Sequence, residues 1–507
     1  SDEAEAEAAA ADEQIPAAEI ARRLDLRGLP LLTIDPDSAR DFDDAVHAAP
    51  LPGGGWRFTV AVADVAHYVQ PDAALDEEAR ARGFSVYLPD RVLPMLPHHL
   101  SSGLCSLRPD EDRLAMVVVF DVAPDGARGP AQVHEAVIRS HARLTYDEVA
   151  AMLGLRGAPP RPGRPEHEAL RPILDDLLDG TRALRELRVR RGRLDLETAE
   201  PRVRFAPDGR VAGITVYARH EAHRLIEEAM IATNEAVAEV FFEAEHPSLY
   251  RVHDDPPTEA LVRFRRLAEL LGAPIASHAD DVRALDAWVA SITEHPLRDL
   301  LNFALLRAMA KAEYRAELSP HFGLGAPRYL HFTSPIRRYP DLVVHRLIKA
   351  ALAGEETADF DELAEIARET SRSERIVVDA ERTVMALYKA LAMLGHVGQV
   401  TEGVVMGVTR AGLFVQLGQY NVEGYLPLDR TGEHYRLTPD GTALVEMRSG
   451  ARHRLGDAVR VKIHDVSVRE RRIELALVRA LDHKVHRPHR PARPTKRFSG
   501  RPRGRRR

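Results

Sequence analysis

The segment TIDPDSARDFDDA, residues 33–45, most restricts what this chain can become. It sets Asp35, Asp37, Asp41, Asp43 and Asp44 within ten positions, opposed only by Arg40. Like charges this close repel, and the cost rises with burial, so a fold that keeps them together must bring something positive among them. Carboxylates without His or Cys suit a hard cation such as Mg²⁺ or Mn²⁺. The apolar LLTID leads in and Ala45-Val46 leads out. The pattern therefore predicts a loop pinned between two strands and able to fold around an ion. An EF-hand reading fails, because the positions that need Gly and Glu hold Arg40 and Val46. A solvated acidic loop remains the alternative at this point, although Ile34, Phe42 and Ala45 are interleaved with the acids.

Around this loop, residues 31–146 read as mainly strands, with WRFTVAVADV alternating through Trp56, Phe58, Val60 and Val62. GAPPRPGRPEH, residues 157–167, is a Pro/Gly-rich surface loop. Helices dominate from there to 394. One is predicted over 221–240 from Ile226, Met230, Thr233, Val237 and Val240, and a longer one over 361–393 from Val377, Ala380, Val384, Leu387 and Leu391. After Gly395 about five short strands with turns suit a small Greek-key barrel of the oligonucleotide-binding type. The expected fold class is α+β, with a central α/β domain and a C-terminal five-stranded barrel. The expected domains are an acidic arm (1–30), a central domain (31–394), the barrel domain (395–480) and a disordered basic tail (481–507).

The formal net charge of −7 hides this asymmetry. Residues 483–507 carry eleven Lys/Arg and no acid, which leaves −18 on the residues before them. An acidic body with a basic tail points to a polyanion partner such as nucleic acid. No apolar run approaches the ~18 residues of a membrane span, and the acidic start is not a signal peptide. That start lacks Met, which fits a processed chain or a piece of a longer one. The single Cys105 excludes an intrachain disulfide framework and suits a reducing, cytoplasmic setting. Other catalytic templates fail: there is no GxxxxGK[ST] or GxSxG motif, and His220-Glu221-Ala222-His223 misses HExxH because position 224 is Arg.

Long strings complete the picture: VAVADVAHYV (60–69), RGFSVYLPDRVLPMLPHHLSSGLCSLRPDEDRLAM (82–116), ARLTYDEV (142–149), AHRLIEEAMIATNEAVAE (222–239) and HFGLGAPRYLHFTSPIRRYPDLVVHR (321–346). With the aspartate loop and the C-terminal barrel, they resemble the ribonuclease II / ribonuclease R (RNB) family of 3′→5′ exoribonucleases. SPIRRYPD and the basic tail lean toward the ribonuclease R branch. The resemblance implies an RNB catalytic domain and an S1 RNA-binding barrel. The implied activity is processive hydrolysis of single-stranded RNA, or structured RNA with a 3′ overhang, to nucleoside 5′-monophosphates with two Mg²⁺ ions. The expected protein is a monomer that takes neither DNA nor membrane. A catalytically silent RNA-binding protein is the second reading.

The resemblance also implies roles for single residues. Asp35, Asp41, Asp43 and Asp44 match the family's metal-site aspartates; Asp37 is extra. Asp43 is the first choice for a residue whose loss ends chemistry and spares binding. Arg337 matches the arginine on the scissile phosphate, a planar fork beside a helix start. Arg338 reads first as structural, paired with Asp341, and is carried as a further RNA-side candidate. Tyr87 matches the aromatic that stacks on a terminal base; Tyr146 and Glu227 match ribose contacts, with Glu228 the alternative to the latter. Leu196 falls where the family commonly has a second stacking aromatic, with Phe205 nearby. In the barrel Phe414 and Tyr435 are candidate RNA-facing rings, while Ala411 and Pro427 replace the usual aromatic and His. The family normally carries cold-shock barrels ahead of the nuclease module, and about thirty residues are too few for one. Either a trimmed chain or an unusually open RNA entrance is expected.

Overall fold

A computed structural model describes residues 1–156, 165–196, 200–217, 219–276, 280–355, 358–428 and 434–480. The basic tail and most of the Pro/Gly-rich loop lie outside the described residues.

Five strands close into a barrel: Leu24–Asp35, Asp44–Pro50, Trp56–Ala63, Asp112–Val122 and Gln132–Thr145. Neighbours in sequence order pair antiparallel, and the first and last pair parallel, with Asp35 opposite Thr145. The alternation expected along Trp56–Ala63 is absent from its burial, since every residue from Phe58 to Ala63 is buried. The reason is external cover. The helix Arg171–Arg191 packs at Gly180, where an added Cβ would lie 2.6 Å from the Phe58 ring. Phe58 in turn stacks on Phe120 with centroids 5.6 Å apart. A strand covered on both faces loses the period-2 signature.

The helix Glu221–Glu243 buries Ile226, Thr233 and Val237 of its predicted stripe. The predicted long helix is one element, Phe360–Met393, which at ~1.5 Å per residue spans about 50 Å. Its start packs into the larger core through Leu363, Ile366 and Ala367, and its end enters the second core through Ala390 and Met393. That second core fills a closed barrel of Val400–Val408, Gly412–Leu417, Val422–Pro427, Arg472–Ala480 and Ala458–Ser467 in spatial order. These are the five strands read from sequence. Between them lies a three-stranded sheet, Tyr435–Leu437, Ala443–Glu446 and Arg452–Arg454, that the pattern did not predict because each strand is so short.

The N-terminal region also departs from a featureless acidic arm. Ser1 caps a helix, Asp2–Ala9, that buries Ala4 and Ala8, and Glu7 accepts the Leu75 amide at 3.0 Å. Small alanines allow close approach, so the acids can reach partners on the body. Arg23 is buried and ion-paired with Asp64 at 2.8 Å, and the first barrel strand begins at Leu24, ahead of the boundary drawn at residue 30. Among the described residues no helix is long and apolar enough to cross a membrane.

Candidate active site

The aspartates collect at one end of the first barrel. Asp35 ends its strand, Asp44 begins the next, and the connecting loop is clamped by buried Ser106. The Ser106 hydroxyl accepts the Phe42 amide at 3.0 Å and donates to the Arg40 carbonyl at 3.1 Å. Asp37 is exposed on the outer side, where its carbonyl accepts from Arg143 at 3.1 Å. Asp43 points inward and is buried.

A second segment crosses this end. The helix Ala74–Arg82 stops at Gly83, whose φ of +72° favours glycine, and the chain runs on to a short hairpin bearing Tyr87. Residues 83–85 pair with 337–339: the Ser85 amide donates to the Arg337 carbonyl at 3.0 Å, and the Tyr339 amide to the Gly83 carbonyl at 2.9 Å. The pairing brings Tyr87 and Arg337 to the aspartates. The Tyr87 hydroxyl donates to Asp41 at 3.2 Å, while the residue as a whole is 42% exposed. The Ile336 amide donates to Asp43 at 2.9 Å, Arg337 Nε stands 3.4 Å from the same carboxylate, and Arg337 Nη2 donates to Ser334 at 2.9 Å. Arg338 instead turns inward to Asp341 at 2.6 Å, at the start of the helix Tyr339–Ala353. Asp341 also accepts the Ser334 amide, so Arg338 shapes the loop from behind.

Burial and mutual repulsion mark the carboxylates. Asp43 is pushed up to about 8 by burial, against the pull of Arg337 and the Ile336 amide. Asp44 rises to about 6 through burial, opposed by Arg337 and Arg338. Asp35 is driven well above the usual range by burial, then by Asp44 and Asp43, and its buried Oδ2 has no hydrogen-bond partner. An orphaned oxygen beside destabilised anions is short of positive charge, and an all-oxygen donor set fits a hard divalent cation. No trio of acid, imidazole or thiol groups among the described residues encloses an ion by itself.

Tyr146 follows Thr145 directly, at the first position of the helix Tyr146–Met152, so the parallel register sets it beside Asp35. Thr145 and Glu148 form a capping box that holds this turn. Glu227 is exposed on the Glu221–Glu243 helix with Arg219 at 3.7 Å. Glu228 is buried and accepts from Arg188 Nε at 2.9 Å and Nη2 at 2.6 Å. Leu196 packs against the helical cluster of Leu261, Phe264 and Trp288, and Phe205 meets Tyr388 edge-to-face at 5.6 Å. In the second barrel Phe414 lies 5.3 Å from Tyr425 across a strand pair, and Tyr435 sits in the separate small sheet, 5.8 Å from His453.

Sequence reasoning did not assign roles to Ser106, Tyr217, His220 or Tyr425. In sequence His220 and His223 read as a failed zinc motif, with His223 on a polar edge shared with Glu227; in the structure His223 stacks on Tyr146 and His220 contacts Asp147. Their signal was the i, i+4 spacing of His223 and Glu227 on one helical face.

Residues 23–354 match the RNB domain family and residues 396–477 the S1 RNA binding domain. The chain is 41% identical to ribonuclease R of Vibrio cholerae over 491 residues, covering 94% of this chain and 59% of that protein. It is 39% identical to ribonuclease R of Aquifex aeolicus, covering 94% of this chain and 68% of that one. The chain thus spans about three fifths of the length of the first curated relatives it matches. Among solved structures, RNase R of Mycoplasma genitalium in complex with ribose methylated single-stranded RNA superposes with a TM-score of 0.88 at 26% identity, over 94% of this chain and 75% of that one.

Proposed function

Because the chain belongs to the RNB-domain family that includes the ribonuclease R proteins, we propose that it is a processive, hydrolytic 3′→5′ exoribonuclease. Its substrate is single-stranded RNA, or structured RNA with a 3′ overhang, and its products are nucleoside 5′-monophosphates. It works as a monomer in the cytoplasm. The observation that carries this reading is the meeting of Arg337 with Asp43 at the mouth of the aspartate cluster, under Tyr87. The RNA bound in the Mycoplasma structure supports RNA as the ligand class.

Asp35, Asp41, Asp43 and Asp44 would hold the divalent cations, two Mg²⁺ or Mn²⁺ in this proposal. When bound, these supply an activated water and stabilise the leaving 3′-oxygen. The protein's own groups then divide the remaining work. Arg337, anchored on Asp43 and Ser334 but 42% exposed, offers a fixed fork to the scissile phosphate and neutralises charge as it develops. Tyr87 presents an exposed π-face to a terminal base, which suits an enzyme that accepts any base. Tyr146 and Glu227 offer a phenol and a carboxylate to the 2′-hydroxyl and so reject DNA. Arg338 and Leu196 serve as packing rather than RNA contacts, while Phe414 on the S1 barrel and Tyr435 on the small sheet beside it offer the domain's RNA-facing rings.

Incubating 3′- and 5′-labelled RNA and DNA with Mg²⁺, with and without chelator, tests this directly. Stepwise release of 5′-monophosphates from RNA alone, stopped by chelator, is the expected outcome. Internal cuts, equal loss of DNA or metal-independent cleavage would overturn it. Binding without degradation would favour a silent RNA clamp.

A further inference from the structure

The polar cluster behind Tyr146 is built more tightly than a helix start requires. The Tyr146 ring lies flat on His223, with centroids 4.1 Å apart and planes within 25°. The His220 amide donates to His223 Nδ1 at 3.4 Å, so that nitrogen is an acceptor and the ring's proton sits on Nε2, which donates to the Tyr217 hydroxyl at 2.8 Å. Burial first, then the neighbouring His220, draws the His223 imidazole down to about 4, so the ring is neutral when it makes these contacts. A second tie acts one residue along: His220 Nε2 donates to Asp147 at 3.2 Å. Two consecutive residues, 146 and 147, are therefore held by two histidines at the start of one helix. Tyr217 is itself fixed, with the Arg202 guanidinium 3.6 Å above its ring. Glu227 lies one helical turn beyond His223 on the same face.

We propose that His223 is a positioning residue for RNA-versus-DNA discrimination: its ring face sets the angle of the Tyr146 phenol, and its helix carries Glu227 to the same ribose. This rests on the reading that Tyr146 and Glu227 meet the 2′-hydroxyl. His223 touches neither the phosphate nor the aspartates in this arrangement. Its effect passes through Tyr146, and a stacked ring limits the phenol to one orientation without offering a competing hydrogen bond to its hydroxyl.

The test compares kcat/KM for all-RNA oligonucleotides with that for the same oligonucleotides carrying 2′-deoxy residues at the 3′ end, in Mg²⁺. His223→Phe keeps a flat face and loses the hydrogen bonds; His223→Gln keeps donor and acceptor and loses the face. We expect His223→Gln to reduce the RNA/deoxy ratio about 3- to 10-fold, the worth of one aromatic stack, and His223→Phe to hold it near the parent value. Thermal melts identify the folded fraction, and the ratio is independent of it. A Gln variant that keeps the parent ratio, or one that slows both substrates in equal proportion, would overturn the proposal. A parent enzyme that degrades RNA and the deoxy-ended oligonucleotides alike would instead remove the ribose reading itself, and the positioning role with it.

Discussion

Arg337 reaches the Asp43 carboxylate at 3.4 Å while the amide of the preceding residue, Ile336, donates to the same group at 2.9 Å. One turn of chain thus supplies both contacts on the most deeply buried of the aspartates. The backbone contact fixes the carboxylate, and the guanidinium stays half exposed. Losing Arg337 removes the cation that faces this buried carboxyl, and losing the Ile336 contact removes its backbone anchor.

Asp43→Asn keeps the shape and removes the charge. We expect RNA degradation to fall at least about 10³-fold, the scale of losing a dominant electrostatic element, while RNA affinity in a filter-binding assay stays within about threefold. A variant degrading RNA at the parent rate would remove Asp43 from the site.

Arg337→Lys keeps the charge and removes the fork. With Nε no longer available to Asp43 and a single point charge in its place, kcat should drop about 10²-fold with little change in KM. Single-turnover kinetics on 3′-labelled RNA measure this, and an unchanged kcat would contradict the role.

Glu227 and Glu228 should separate cleanly by readout. Glu228→Gln breaks a buried bidentate pair with Arg188 and should cost roughly 3 kcal/mol in thermal or denaturant unfolding. Glu227→Gln, at an exposed position, should leave the melt unchanged and alter only ribose discrimination. The reverse pattern would exchange their assignments.

The metal-free protein should lose stability as pH rises from 6.5 to 8.5. Asp43 has a folded-state value of about 8 against an ordinary 3.8, so the native state holds a proton that the unfolded chain has released. For a group raised in the native state, stability is full at low pH and is lost as pH climbs through the folded value. His223 and His345, drawn to about 4, and His321, drawn to about 3, act with opposite sign, an effect that fades as pH rises above 6.5 and is shared by the Asp43→Asn variant. Melts in chelator should show the decline, Asp43→Asn should flatten it, and Mg²⁺ should suppress it. A parent profile parallel to that of Asp43→Asn would contradict the buried-carboxylate account.

RNA affinity should fall steeply with salt, and removal of residues 483–507, with their eleven Lys/Arg, should make that slope shallower. For single strands each phosphate contact contributes about −0.7 to the logarithmic slope, so even a few lost contacts are measurable by titration from low to moderate salt. An identical slope without the tail would assign the affinity to the folded domains.

Much of this was legible in the residues. Five aspartates in ten positions marked a loop of mutually repelling carboxylates between two strands, which is where the fold places Asp35, Asp43 and Asp44. The periods of 221–240 and 361–393 gave helices, and five short strands after Gly395 gave the second barrel. What stayed illegible was long-range. The parallel pairing of Leu24–Asp35 with Gln132–Thr145 closes the first barrel and puts Tyr146 beside Asp35, yet neither strand's pattern names its partner. The adjacent Glu227 and Glu228 look alike in sequence, and only the fold shows one exposed and the other buried against Arg188. An apparently low-complexity start hid a capped helix, because alanine reveals no packing face until something lies against it.

The sequence by itself determined the chemistry on offer: which carboxylates, rings and guanidiniums exist, and which local elements carry them. Only the tertiary structure decided that Asp43 would be buried against Arg337, that Arg338 would turn inward to Asp341, and that His223 would lie flat on Tyr146. The physical reason is that charge energies depend on separation and desolvation, and stacking depends on contact. Sequence spacing records none of these until the chain has closed.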